Sequence, residues 1–237
     1  MLDSIYTIPI KDVFEPKDGC PICRLRDTLE TRCIDYILGA AMMEPDIRIM
    51  TNEQGFCRKH FNMMFKNKNK LSLALILESH LDTIEKDIFS KKDLFNKGAK
   101  SEKAAKLSDS CFVCSQIDTA LTRMMETVVH MWDSSLDFKE LFAEQPVLCL
   151  EHYKDLCLVA KRKLNKKRFP DFADACEKLT ANYLTELRGD VTHFTKMFDY
   201  RNSGEDADWK NSKDAIQRGM QKLKGGYPAD GAYKMNK

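Results

Sequence analysis

Residues 20–32 read CPICRLRDTLETR, and residues 111–123 read CFVCSQIDTALTR. Both fit the pattern C-x2-C-x3-D-T-x2-T-R, with an offset of 91 positions between them. A second pair of motifs follows each. GFCRKH at residues 55–60 is echoed by VLCLEH at residues 147–152, offset by 92, and an aromatic residue (Phe61, Tyr153) comes directly after each histidine. Two motifs repeated at offsets of 91 and 92 read as an internal duplication, with a period too long for a solenoid repeat.

Spacing and residue type point to metal. A C-x2-C knuckle lets two thiolates converge through a tight turn. A C-x2-H at a helix start sets a thiolate and an imidazole about one turn apart on one face. Four such ligands fill a tetrahedral Zn²⁺ shell. Two sets of three cysteines and one histidine are expected, one per repeat: Cys20, Cys23, Cys57 and His60, then Cys111, Cys114, Cys149 and His152. The pairs can also combine across the repeats, for instance as an all-cysteine shell built from the two C-x2-C pairs. A closed shell of four protein ligands leaves no position for substrate, so the expectation is two structural zinc ions. Two alternatives use the same residues. Three cysteines and a histidine can hold an iron–sulfur cluster, and CPIC resembles a redox dithiol, although that chemistry belongs after a strand in a βαβ unit.

The chain has 237 residues, enough for one large domain or two small ones with a true core. Lys and Arg number 38 against 36 Asp and Glu, so no whole-chain basic footprint for nucleic acid exists. A local one does: KRKLNKKR at 161–168 carries Lys161, Arg162, Lys163, Lys166, Lys167 and Arg168. It suits nucleic acid or an acidic partner, and equally a solvated helix end where cations complement the dipole. The N-terminus lacks a basic and apolar leader, and the most apolar run, Leu71 to Leu77, is far short of the roughly 20 residues a spanning helix needs. A cytoplasmic protein with no membrane partner is expected. In that compartment grouped cysteines are read as metal or redox groups before disulfides.

Ten Gly and seven Pro are few. Residues 4–14 read as irregular, with Pro9 and Pro16 against a helix. Helical spacing then runs from Ile22 to about Met43, and Pro45 opens a loop to Cys57. Further helices are expected over about 57–65, 72–95, 112–132, 149–168, 171–198 and 208–223, with a continuation near 136–142. The stretch 96–108 (NKGAKSEKAAKLS) has no apolar period and reads as the boundary. The expected architecture is therefore all-α: two duplicated metal-clipped helical units, at 1–97 and 98–237, with long amphipathic helices. Arg32 and Arg123, at repeated positions, read as residues that fix the fold. His80, His130 and His193 read as ordinary helix residues, and Cys33, Cys157 and Cys176 as small buried side chains, any of which would be reactive only with a depressed pKa. The sequence contains no H-E-x-x-H, G-x-S-x-G, P-loop or G-x-G-x-x-G, so a non-enzymatic role, binding a protein or small ligand, is favoured.

The runs TIPIKDVFE (7–15), CPICRL (20–25), MMEPDIRIMTNEQGFCRKH (42–60) and LALILESHL (73–81), with the later CFVC, CLEH and DYRN segments, resemble the bacterial proteins grouped as domain-of-unknown-function family 6062. The resemblance spans most of the chain. It implies an intracellular protein of undefined role and adds no activity to the reading of the motifs.

Overall fold

The computed structural model describes residues 7–89, 97–202 and 208–226. Every regular element among them is helical. In chain order these are α1 (Ile8–Phe14), α2 (Pro21–Leu38), α3 (Pro45–Gln54), α4 (Arg58–Lys66), α5 (Lys70–Asp87), α6 (Lys97–Ser108), α7 (Phe112–Ser134), α8 (Leu136–Ala143), α9 (Leu150–Lys163), α10 (Phe169–Lys196) and α11 (Ala215–Lys224), with short 3₁₀ turns at Ala40–Met43 and Tyr200–Asn202. None is long and apolar enough to cross a membrane, among the described residues.

Three segments outside the expected helices are helical, and two of them turn on proline. Pro9 and Pro45 sit in the first two positions of α1 and α3, where the missing N–H has no intrahelical partner to lose and the fixed φ suits the helix. Pro170 does the same at the start of α10, so it opens that helix as well as following α9. The third segment, the polar stretch 97–108, forms α6. The expected extension of α5 to Phe95 and the tail after Gly226 lie outside the described residues.

Two compact units divide the chain, and they are not the sequence halves 1–97 and 98–237. One unit is Met1–Asp27 with Leu121–Lys237; the other is Thr28–Ala120. The chain changes unit inside α2 and again inside α7. The expected boundary near residue 97 instead falls at the start of α6, within the second unit. The reason lies in how the ligand motifs pair, described below.

The core of the discontinuous unit is aromatic. Phe14 of α1, Phe142 of α8 and Phe172 of α10 are fully buried. Phe14 stacks on Phe142 at 5.9 Å, Phe142 meets Phe172 at 5.7 Å, and Trp132 of α7 stands edge-on to Phe172 at 5.1 Å. Gln145 Nε2 donates to the Phe14 carbonyl and ties α1 to the end of α8. Phe172→Ala is expected to cost about 3–5 kcal/mol, since it opens a cavity among rings that cannot collapse into it. Denaturant unfolding with the metals bound checks this, through a lower midpoint at unchanged slope.

The Thr28–Ala120 unit packs Ile34, Ile37 and Leu38 of α2 with Met64, Leu73 and Ile76, and with Phe112, Val113 and Ile117 of α7. Cys33 packs against this cluster, and burial pushes its thiol up to about 11, in keeping with its expected role as a small apolar residue. Gly55 ends α3 at φ +58. A Cβ there would lie 3.0 Å from the imidazole of His80, which is itself buried and bonded through Nδ1 to the Asn52 carbonyl. The Gly55 carbonyl accepts the Phe112 N–H at 3.0 Å. That bond brings the start of α7 against the segment leading to Cys57.

Candidate metal centres

All four ligand motifs have one local geometry. The carbonyls of Cys20, Cys57, Cys111 and Cys149 accept the N–H four residues on, from Arg24, Phe61, Ser115 and Tyr153. Each of these cysteines therefore stands at the N-cap of a helix, and the second ligand of each motif is the third helical residue. This is the arrangement in which a capping side chain faces the N3 position. The x2 spacing is thus a helix-start signature for the C-x2-C pairs as well as the C-x2-H pairs. Helix N-termini also favour thiolate over thiol, because their unpaired N–H groups carry partial positive charge.

Two such helix starts meet at each centre, and they come from different repeats. Cys20 and Cys23 join Cys149 and His152; Cys57 and His60 join Cys111 and Cys114. All eight residues fall into the two groups, each of three cysteines and one histidine that could hold an ion. The partition is the correction: neither set is the within-repeat one, and neither is an all-cysteine shell. Each C-x2-C is completed by the other repeat's C-x2-H. This explains the division of the chain, because Cys57 through Cys114 close a centre wholly inside Thr28–Ala120, while the outer motifs close one inside the other unit.

Within each set the four ligand atoms lie within 4.8 Å of one another. In the first, Cys23 Sγ is 3.7 Å from Cys149 Sγ, and His152 Nδ1 is 3.6, 3.3 and 3.2 Å from Cys20, Cys23 and Cys149 Sγ. In the second, Cys57 Sγ is 3.9 Å from Cys114 Sγ, and His60 Nδ1 is 3.2, 3.3 and 3.5 Å from Cys57, Cys111 and Cys114 Sγ. A tetrahedron with Zn–S of about 2.3 Å and Zn–N of about 2.0–2.1 Å has S–S edges of about 3.8 Å and S–N edges of about 3.6 Å. The side chains fit a single tetrahedral ion.

Proton affinities reflect the same crowding. Burial opposes a thiolate at Cys20, but hydrogen bonds from Cys149 and Cys23 outweigh it and hold its pKa well below the ordinary thiol value. Cys23, facing Cys149 and Cys20, is driven the other way. In the second centre burial again disfavours charge, yet the His60 contact brings Cys111 down to about 6, while burial and the Cys111 thiolate push Cys114 up to about 12.

The outer shells differ, and none of their members was evident in the sequence. Glu30 of α2 is buried, with Oε1 3.5 Å from His60 Nε2 and both oxygens bonded to Lys59 Nζ at 2.6 and 2.7 Å. Burial works to raise its pKa, but His60 and Lys59 prevail and hold it near 2. Its place is that of the carboxylate that orients a ligating histidine. Glu30→Gln is expected to weaken metal at the second centre by about 10–100-fold and leave the first unchanged, as read by competition with a chromophoric chelator.

The first centre is covered by α11, whose buried face is polar. Ile216, Met220 and Leu223, which hold helical phase, point outward at 48, 66 and 55% exposure, while Arg218 and Lys222 are each 2% exposed. Arg218 pairs with Asp190 and Asp214. Lys222 Nζ donates to the carbonyls of Leu148 and Thr180 at 2.6 and 2.9 Å. Burial pulls Lys222 down to about 8, against the opposing pull of the Cys149 and Cys20 thiolates. Beyond the helix, Gly226 N–H donates to Cys23 Sγ at 3.4 Å, and Gly225, at φ +77, would place a Cβ 3.5 Å from the same sulfur. Were a dication held there by three thiolates and an imidazole, the site would carry one net negative charge, which a buried ammonium and an N–H···S bond would offset.

The remaining expected residues lie elsewhere. In the basic run, Lys163 pairs with Glu126 and Arg168 with Asp133, while Lys161, Arg162, Lys166 and Lys167 are exposed. Arg32 and Arg123 are also exposed. His130 is exposed, and His193 Nε2 meets the Asp208 carbonyl.

Residues 1–230 match a family of unknown function, DUF6062. Neither a curated protein nor a solved structure matches the chain.

Proposed function

We propose that this chain, which belongs to the DUF6062 family of unknown function, is a zinc-clipped helical protein of the cytoplasm that works by binding a partner and not by catalysis. The carrying observation is the four ligand atoms held within 4.8 Å at both centres. That spread suits one ion per centre. An iron–sulfur cluster distributes its protein ligands over separate irons and needs them further apart. Four protein ligands close the shell of a zinc ion, which then supplies folding energy and no open position for substrate. A reducing compartment suits six ligand thiols that must stay unoxidised. Elemental analysis of anaerobically purified protein is expected to give two zinc per chain and no visible absorption. One metal, none, or a brown protein would sink the reading.

The exposed Lys161, Arg162, Lys166 and Lys167 are the surface a partner of opposite charge, nucleic acid included, would meet. Binding there would weaken steeply with salt. A charge-reversed variant that bound as well as the parent would dismiss it.

A further inference from the structure

The Thr28–Ala120 unit holds a cleft of about 460 Å³ where the C-terminal halves of α3, α5 and α6 come together. Sites that take small molecules span roughly 300–1,000 Å³. Ile84 of α5, Ile88 just beyond its end and Leu107 of α6 give the cleft its apolar lining. The charges along it divide by helix. Glu53 comes from α3 and Asp87 from α5, whereas Lys103 and Lys106 both come from α6.

These opposite charges do not close on one another. Among the described residues neither acid pairs with either lysine, and Glu53 and Lys106 have no ion pair or side-chain hydrogen bond at all. Lys103 Nζ donates instead to the main-chain carbonyl of Asp87 at 3.1 Å. The acids also stand on the last turns of α3 and α5, where the carbonyl ends of the helices add partial negative charge and favour a bound cation. One end of the cleft's chemistry is thus set for an ammonium group and the other, at Lys106, for a carboxylate, with apolar side chains between. A ligand of a single sign would meet like charge on part of this lining.

We propose that the cleft binds an apolar zwitterion, an amino acid or short peptide with both termini free. Glu53 and Asp87 receive its ammonium group, Lys106 receives its carboxylate, and Ile84, Ile88 and Leu107 receive its apolar body. The polar stretch 97–108 thereby gains a role: α6 supplies the basic side of a binding site.

The test is titration calorimetry of the full, metal-loaded chain with leucine and with leucyl-leucine, beside the N-acetylated and C-amidated form of each. At least one free ligand is expected to bind at one site per chain with a Kd of about 1 mM or tighter. Capping either terminus is expected to weaken it about tenfold, the loss of one charge-assisted contact. Glu53, Asp87 and Lys106 are exposed, so changing them spares the core. Lys106→Met is expected to erase the preference for a free over an amidated carboxyl end and keep the preference for a free amine; Glu53→Gln with Asp87→Asn is expected to do the reverse. No binding of either free ligand, capped forms that bind as tightly as free ones, or variants that keep both preferences would each overturn the proposal. Metal content is assayed on the same samples. A chain with two metals that binds neither ligand tells against the cleft alone, and a chain short of metal that binds tells against the zinc reading alone.

Discussion

A Cys23→Ser, Cys149→Ser variant is expected to keep one metal at parental affinity, and a Cys23→Ser, Cys57→Ser variant to keep none. Both remove two thiolates and differ only in which ones. The first pair of changes falls in one centre and leaves Cys57, His60, Cys111 and Cys114 intact. The second pair takes one ligand from each centre. Losing an outer-shell partner already costs about 10–100-fold in metal affinity, and loss of a ligand is expected to cost at least as much. If the centres followed the repeats the two results would be exchanged, because Cys23 and Cys57 would share an ion and Cys149 would belong to the other. Metal stoichiometry under a competing chelator distinguishes the two cases. The surviving metal in the first variant does not require the outer unit to stay folded, since its ligands all lie within Thr28–Ala120.

That experiment probes the one property of the centres that the motifs do not encode. The ligands themselves are legible because the N-cap to N3 relation is local: three residues fix which two side chains share a helix start. Which two starts share an ion is a tertiary fact, and both repeats offer the same two kinds of start. A chain with matched motifs therefore looks the same whether it pairs within repeats or across them. The all-α class was legible for the opposite reason, since the apolar period persists through most of the long segments, α6 excepted. Pro9 and Pro45 misled because proline both ends helices and begins them, and only the following residues decide. α11 misled more deeply. Its apolar residues keep helical phase, yet Arg218 and Lys222 take the buried side because Asp190, Asp214 and the carbonyls of Leu148 and Thr180 wait there. Glu30 and the Gly225–Gly226 segment belong to the same class. They act on a centre from positions with no fixed spacing to any ligand, and no periodic or motif signal reports them.

Chelation under reducing conditions is expected to remove the metals in two kinetic phases and to take much of the helical signal with them. The phases follow from burial. Cys57 and Cys114 are partly exposed, so a chelator can reach the second centre by displacing one thiolate at a time. Cys20, Cys23, Cys149 and His152 are buried, with Lys222 and the Gly226 N–H packed over them. Release there waits for α11 to lift, so the slow phase belongs to the first centre. Lys222→Met is expected to accelerate that phase alone, because it removes both carbonyl anchors and the balancing charge while keeping most of the side-chain volume. A single phase, or a Lys222→Met effect on the fast one, would contradict the assignment of α11 as the cover. The unfolding follows from magnitude. A structural zinc contributes about 10–16 kcal/mol in small peptide systems, and a domain's net stability is only about 5–15 kcal/mol. Each unit should therefore lose its fold as its metal leaves, and circular dichroism should fall in step with metal release. Acid acts in the same direction as the chelator, because the ligand thiols must be deprotonated to bind, so falling pH favours the metal-free, unfolded chain.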